Sequence, residues 1–442
     1  MGIWLVCGQN SKYASRQTGQ TFSCLAGRDL IYSRKIAIKV QQGGESMHAT
    51  IEIKPGVYWI GSEDPELRVF DDLFPTEHGT TYNAYLVKGE TKTAIIDTVK
   101  GKRIDEFLDK VRGLVDPTAI DYIVVNHAEP DHSGSLSRLL ELAPQATVVS
   151  SMAAKGFLGN LMHKPFESRV VKDGDTIDLG GRTLRFITAP FLHWPDTMFT
   201  RLEEENMLFT CDAFGAHYCS PGHIFNDEVG DFTLARQFYF DCIFRPFKDK
   251  VLAAVEKIRH DVIDMICPSH GPIIRKDPWC VIQQFEEWSK QPDGGKKIHI
   301  LYISPHGNTE KMAQAVAEGV ASVGVNITAS HISGLDPTAL RDLMEEADAL
   351  IFGIPTIVRD IPKPMWDVLA YLSTVCLKTN IAGLFGSYGW SGEACKMAEE
   401  RLKALNFKLP VAAVRAQFSP LPDALDQCRT MGRQIAEEVL KK

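Results

Sequence analysis

From Lys297 to Lys442 the chain alternates five apolar segments with five helical ones, and this rhythm narrows its possible folds more than any other feature. The apolar segments are IHILYIS, VNITASHI, ADALIFGI, IAGLFGS and LPVAAVRA. The intervening stretches, 309–323, 337–346, 363–373, 392–405 and 423–441, carry helical periodicity. Five strands alternating with five helices predict a doubly wound parallel sheet, with polar residues at strand ends where such folds bind ligands.

The residues before this block read differently. From Met47 the pattern is of short alternating strands, IEIKPGVYWIG, YNAYLVKG and TAIIDTV, bounded by Gly, Pro and Asp as hairpins are. A helical stretch, GKRIDEFLDKVRGLV, leads to DYIVVNH, and further strands alternate with helices as far as DMICPSHG. This predicts a second α/β layered domain. WSKQPDGGKK, 288–297, reads as the linker, so the expected domains are 47–292 and 297–442. Residues 1–46 are Ser-rich, basic and poor in acids, and are set aside as a leader outside the core fold: a presequence or an over-extended start.

With 44% hydrophobic and 24% charged residues, the composition is that of an ordinary globular protein. The net charge of −8 argues against a nucleic-acid partner. No apolar run approaches the ~20 residues needed to cross a bilayer, so no membrane association is expected. A cytoplasmic location follows, with organellar targeting by the leader less favoured. Ten scattered cysteines without a C-x-x-C pair predict reduced thiols and exclude the usual ligands of an iron-sulfur carrier.

VVNHAEPDHSG places His127, Glu129, Asp131 and His132 directly after an apolar strand. In a tight loop, His127 and Glu129 can serve one side and Asp131 and His132 the other, which suggests two metals. The competing reading is a polar loop in which Asp131 or Ser133 caps a helix, but a cap needs only one such residue. Three later strands end in a lone ligand type: His193 in FLHWPDTM, Asp212 in LFTCDAFG and His270 in ICPSHGPI. Together the seven form a ligand set and are the predicted catalytic residues. His217, in DAFGAHYC, is a candidate to orient a ligand or supply protons.

The stretch ISPHGNTEKMA runs from a strand through Ser304, His306, Gly307, Asn308 and Thr309 into a helix, offering hydroxyls, backbone N–H groups and a helix N-terminus to one phosphate. Two further strand-end loops follow, FGIPTIVRDIP with Pro355, Thr356 and Ile357, and FGSYGWSGEA with Ser387, Tyr388, Gly389, Trp390 and Gly392. Tyr388 and Trp390 are aromatic groups able to flank a planar ring.

The seven-ligand set resembles the dinuclear site of the metallo-β-lactamase fold, whose loop usually reads H-x-H-x-D-H. Here Glu129 replaces the second histidine, which enriches the site in hard oxygen ligands and favours iron over zinc. That substitution, with H-W-P-D-x-M downstream, resembles the flavodiiron proteins, and the loop 303–313 resembles the flavodoxin phosphate loop. The resemblance spans 47–442. It implies a metallo-β-lactamase-like αββα sandwich followed by a flavodoxin-like doubly wound parallel sheet. It implies one iron held by His127, Glu129 and His193, a second held by Asp131, His132 and His270, Asp212 as the bridge, and FMN in the C-terminal domain. It places His78, in FPTEHGTTYNAY, near the active site. Where the family often has a small polar run after Pro-Thr, this chain has Ile357, Val358, Arg359 and Asp360; Arg359 either shifts the flavin potential or faces solvent.

The activity implied is reduction of O₂ to water or of NO to N₂O. The chain carries no rubredoxin-like cysteine module and no reductase extension after residue 442, so the electrons are expected from an external donor, a rubredoxin-like protein or reduced F420. The resemblance further implies a head-to-tail homodimer or a dimer of dimers. The competing classes are a dimetal hydrolase, which leaves Glu129 and the flavin loops unexplained, and a flavin electron carrier with an inactive metal domain, which leaves the seven ligands unexplained.

Overall fold

The computed structural model describes residues 50–290 and 294–441, so the leader lies outside the described residues. Two sheets face each other in the N-terminal half. The first has seven strands in chain order: Ile51–Lys54, Val57–Trp59, Tyr85–Lys88, Thr93–Ile96, Tyr122–Val125, Thr147–Ser150 and Ser168–Val170. The early strands pair antiparallel, and pairing turns parallel from Thr93–Ile96 onward. The second sheet has five: Thr176–Asp178, Thr183–Thr188, Met198–Leu202, Met207–Cys211 and Met265–Pro268.

Side-chain alternation explains the layering. In Tyr122–Val125, Val124 points between the sheets, where it packs with Val149, Phe186, Met198 and Phe209. Ile123 and Val125 point outward, onto the helices Ile104–Leu114 and Leu136–Leu142. The outer face of the second sheet is covered by Thr233–Ile243, Lys248–Ile258 and Pro278–Ser289. Burying both faces of both sheets produces the αββα sandwich.

The C-terminal half is one five-stranded sheet in the order Asn326–His331, Lys297–Tyr302, Ala349–Gly353, Ala382–Tyr388, Val414–Gln417, parallel throughout. Helices Asn308–Ala321 and Pro422–Leu440 cover one face, and Pro337–Glu346, Lys363–Tyr371 and Ala394–Ala404 the other. The fifth strand is shorter than the apolar run LPVAAVRA predicts. It begins at Val414, and Pro410, which has no N–H to donate to a ladder, precedes it. Gly319 and Gly432 let the two helices on the first face meet closely: a Cβ on Gly319 would collide with the Arg429 carbonyl, and one on Gly432 with that of Val316. Among the described residues no helix is long and apolar enough to cross a membrane.

A buried charge cluster joins the halves. Arg245 Nε donates to Glu345 Oε1 at 2.9 Å and Arg245 Nη2 to Glu345 Oε2 at 3.1 Å, a two-point fork, and Arg245 also pairs with Asp241 and Asp342. Lys248 Nζ reaches Glu345 at 2.5 Å. Removing Glu345 leaves the buried Arg245 and Lys248 short of their shared partner. Glu345→Ala is therefore expected to destabilise the chain by about 3 kcal/mol, read as a lower urea midpoint. A change below about 0.5 kcal/mol, ordinary for a surface site, would show that the cluster does not hold the halves together.

Candidate active site

The strand Tyr122–Val125 ends at Asn126, which ties the sheets at their edge. Its backbone N–H donates to Asp97 Oδ1 at 2.7 Å, its side-chain oxygen accepts from Thr200 at 2.6 Å, and its carbonyl accepts from Met198 N–H at 2.9 Å. With that position fixed, the chain turns sharply. The Glu129 carbonyl accepts from the N–H groups of both His132 and Ser133, and Pro130–Ser133 closes a single helical turn. Glu129 precedes this turn without any side-chain cap, and Asp131 and Ser133 lie within it, so neither has the capping role of the competing reading. The turn aims Glu129, Asp131 and His132 to one side of the sheet edge. His193, Asp212 and His270 arrive there from strand ends of the second sheet.

The seven side chains fall into one group of four and one of three. Atoms of His127, Glu129, His193 and Asp212 lie within 4.8 Å of one another, as do atoms of Asp131, His132 and His270. Glu129 Oε2 is 3.1 Å from His127 Nε2 and 3.0 Å from His193 Nε2. Asp131 is 3.3 Å from His132 Nε2 and 3.1 Å from His270 Nε2. Asp212 stands between: Oδ2 is 3.8 Å from both His127 and His193, while Oδ1 is 3.0 Å from His132 and 3.4 Å from His270. Each carboxylate oxygen of Asp212 thus faces a different group.

Electrostatics shows what this arrangement lacks. Burial alone would raise the Asp212 carboxyl, yet His132, His127 and His193 hold it well below its usual range. Burial would lower His127, but Asp196, Glu129 and Asp212 carry it up to about 10. Three carboxylates in so dry a site need positive charge, and protons on histidines supply it only by occupying the nitrogens that face inward. Two divalent cations would supply it while releasing those protons. Asp131 Oδ1 accepts no hydrogen bond in the protein and has only the His132 ring beside it, at 3.3 Å. The residues present fit a binuclear centre with hard oxygen and imidazole donors.

Outer partners set the rings. Asp196 lies 3.2 Å from His127 Nδ1 with both oxygens and accepts from Ala128 N–H at 2.7 Å. His270 Nδ1 donates to the Thr81 carbonyl at 2.7 Å, and Tyr239 donates to Asp212 Oδ1 at 3.2 Å. A cavity of about 340 Å³ opens on both groups. It is walled by Phe70, Phe247, Tyr239 and His217, and by Ser373 and Thr374 from the C-terminal half. His217 is buried in that wall, and burial, then the nearby His270, pushes its ring well below the usual histidine range. His78 is not part of the lining. It is exposed, with its ring 5.2 Å from that of Tyr218.

At the C-terminal end of the parallel sheet the three predicted loops adjoin. Gly307 turns left-handed at φ 75° into the helix Asn308–Ala321, with open space where a side chain would stand. Ser304 Oγ accepts from Glu310 N–H at 2.9 Å, and Thr309 Oγ1 meets Ser387 Oγ at 2.9 Å, tying the first loop to the third. Thr356 N–H donates to the Ser387 carbonyl at 3.0 Å, tying in the second. His306 is exposed, Asn308 half-buried and Pro355 buried; Gly392 packs close against the Tyr388 ring. Arg359 pairs with Glu393 at 3.2 Å. Val358 and Trp390 leave 80% and 77% of their surface exposed, and Phe418 beside Gly389 leaves 65%, so an apolar rim borders the cradle. A phosphate cradle with an apolar rim fits a flavin mononucleotide.

A lactamase-type sandwich holding a candidate binuclear site, fused to a flavodoxin-type sheet, defines a class of two-cofactor redox enzymes. Sequence comparison agrees. The family described as ODP family beta lactamase matches residues 80–271, and Flavodoxin matches 300–432. A flavo-diiron protein of Clostridium acetobutylicum is 39% identical over 399 residues, covering 88% of this chain and 99% of that protein. A nitric oxide reductase of Moorella thermoacetica is 36% identical over 400 residues, covering 89% and 100%. The solved rubredoxin oxygen:oxidoreductase of Desulfovibrio gigas superposes with a TM-score of 0.63 at 31% identity, covering 89% of this chain and 99% of that one. The chain belongs to the flavodiiron proteins, a family of oxidoreductases.

Sequence reading missed Asp196, Thr81 and Tyr239. Asp196 had a signal, since it lies three residues after His193 in the same H-W-P-D motif; Thr81 and Tyr239 had none. Asp196→Asn is expected to weaken metal binding by about 10- to 100-fold, since the amide no longer fixes the His127 ring as an acceptor on both sides. Metal retained per chain against a graded chelator measures it; retention equal to the parent chain would remove Asp196 from the site.

Proposed function

We propose that this chain reduces O₂ to water, NO to N₂O, or both, at a di-iron centre fed through FMN. The observation that carries the reading is the division of Asp212, one oxygen toward each three-residue group, above one small cavity. His127, Glu129 and His193 would hold the first iron, Asp131, His132 and His270 the second, and Asp212 would bridge them. Ser304, Asn308 and Thr309 would hold the FMN phosphate, with Tyr388 and Trp390 beside the ring. When bound, the iron pair would supply electrons to a small molecule in the cavity, and FMN would relay electrons from the donor.

The protein's own contribution is placement and exclusion. Asp196 holds His127 in one orientation, the Thr81 carbonyl does so for His270, and Tyr239 fixes one oxygen of Asp212. Phe70 and Phe247 make part of the cavity wall apolar, which suits a small uncharged gas. The names of two relatives, a nitric oxide reductase and a rubredoxin oxygen:oxidoreductase, support these substrates. An external donor, a rubredoxin-like protein or reduced F420, and a head-to-tail homodimer or dimer of dimers complete the proposal, with a cytoplasmic location.

With iron and FMN loaded and one electron donor, O₂ and NO consumption measured separately should show turnover of at least one gas. Asp212→Ala should cut that rate by more than about 100-fold, beyond the usual loss for an outer-sphere residue. Full occupancy of both cofactors without consumption of either gas would sink the proposal.

A further inference from the structure

His217 is 5% exposed and sits in the cavity wall, its ring 4.2 Å from that of Phe70 and 4.7 Å, edge-on, from that of Tyr239. Its two nitrogens are in different situations. Nδ1 lies 3.0 Å from Thr80 Oγ1, whereas Nε2 is buried and has no partner in the protein. A buried imidazole nitrogen without a partner is costly unless something that enters the site completes it.

The neighbouring bonds decide which nitrogen carries the proton. His270 Nδ1 lies 2.7 Å from the Thr81 carbonyl, and a carbonyl only accepts, so that nitrogen is an N–H. Thr80 has a single hydroxyl hydrogen and two candidate acceptors: the Thr81 carbonyl at 3.4 Å, already engaged by His270, and His217 Nδ1 at 3.0 Å. The shorter contact to an otherwise unused acceptor takes the hydrogen. His270 Nδ1, 3.4 Å from Thr80 Oγ1, donates toward the same oxygen and reinforces that direction. His217 then accepts at Nδ1, and its one proton resides on Nε2.

We propose that His217 is a substrate-binding residue: Thr80 fixes its Nε2–H tautomer, and this N–H donates a hydrogen bond to an oxygen or nitrogen atom of the small molecule in the cavity. The inference rests on the reading that the cavity receives O₂ or NO, and it adds the group that recognises them. A donor there stabilises negative charge as it builds on the substrate and costs little reorganisation, because Thr80, Phe70 and Tyr239 hold the ring in place.

Two measurements test it, neither requiring turnover. In zinc-loaded, diamagnetic protein labelled with ¹⁵N-histidine, His217 should show a protonated Nε2 and an unprotonated Nδ1; the opposite tautomer overturns the proposal. In iron-loaded protein, azide serves as a small anionic probe, followed by optical titration and by its infrared stretch. At equal iron content His217→Leu should weaken azide about 10-fold, the scale of one lost hydrogen bond to a charged group, and shift the stretch. His217→Gln, which keeps a donor on a comparable reach, should recover most of both. Unchanged azide affinity and stretch in His217→Leu would overturn the proposal. If that variant fails to fold or to load iron, the tautomer in the parent protein decides. A chain that consumes neither gas would defeat the proposed function while leaving the donor to be judged on these spectra.

Discussion

Three carboxylates, Glu129, Asp131 and Asp212, converge where two sheets meet, and the N-terminal half is organised around neutralising them. Water cannot do it, because Asp131 and Asp212 are almost wholly buried. Four imidazoles do it in the protein alone, and cations would do it better. The sharp turn after His127, the hold of Asp97 on Asn126 and the grip of Asp196 on His127 each keep one of these charges in register with the others. The sandwich supplies a rigid edge on which to build this: aliphatic residues between the sheets fix the strand ends, and the strand ends carry the ligands.

How much of this was legible depended on how each residue reaches the site. The loop from His127 to His132 announced itself because four potential ligands do not crowd into six residues without a reason. His193, Asp212 and His270 were legible because each breaks an apolar strand at its end. The doubly wound sheet was legible from rhythm alone, since its three central strands are buried on both faces and read as apolar runs between helices. Tyr239 and Thr81 were not. Tyr239 lies on a helix among aromatic residues and reads as core, and Thr81 acts through its backbone, which carries no residue signature. His78 follows the Phe70–Phe74 segment that lines the cavity, but its own side chain is exposed and outside that lining.

The two sites differ in how they are built. The metal groups are held by charge, in a buried wall of facing carboxylates and imidazoles. The flavin cradle is held by hydroxyls and backbone at the open end of a sheet, bordered by exposed Val358, Trp390 and Phe418. The first resists rearrangement once filled, whereas the second leaves apolar surface that a bound ring would cover only in part.

Ser373 and Thr374 belong to the C-terminal half yet line the cavity over the metal groups, and Glu345 of that half is held by Arg245 and Lys248 of the other. The flavodoxin-type sheet is thus more than a carrier tethered to a catalytic domain; it forms part of the catalytic wall. Recombination between relatives at the junction after Ser289 would join two intact folds and still alter the chamber, unless the Arg245, Lys248 and Glu345 contacts and the 373–374 turn travelled together. In this architecture the unit of inheritance for the reaction is the seam.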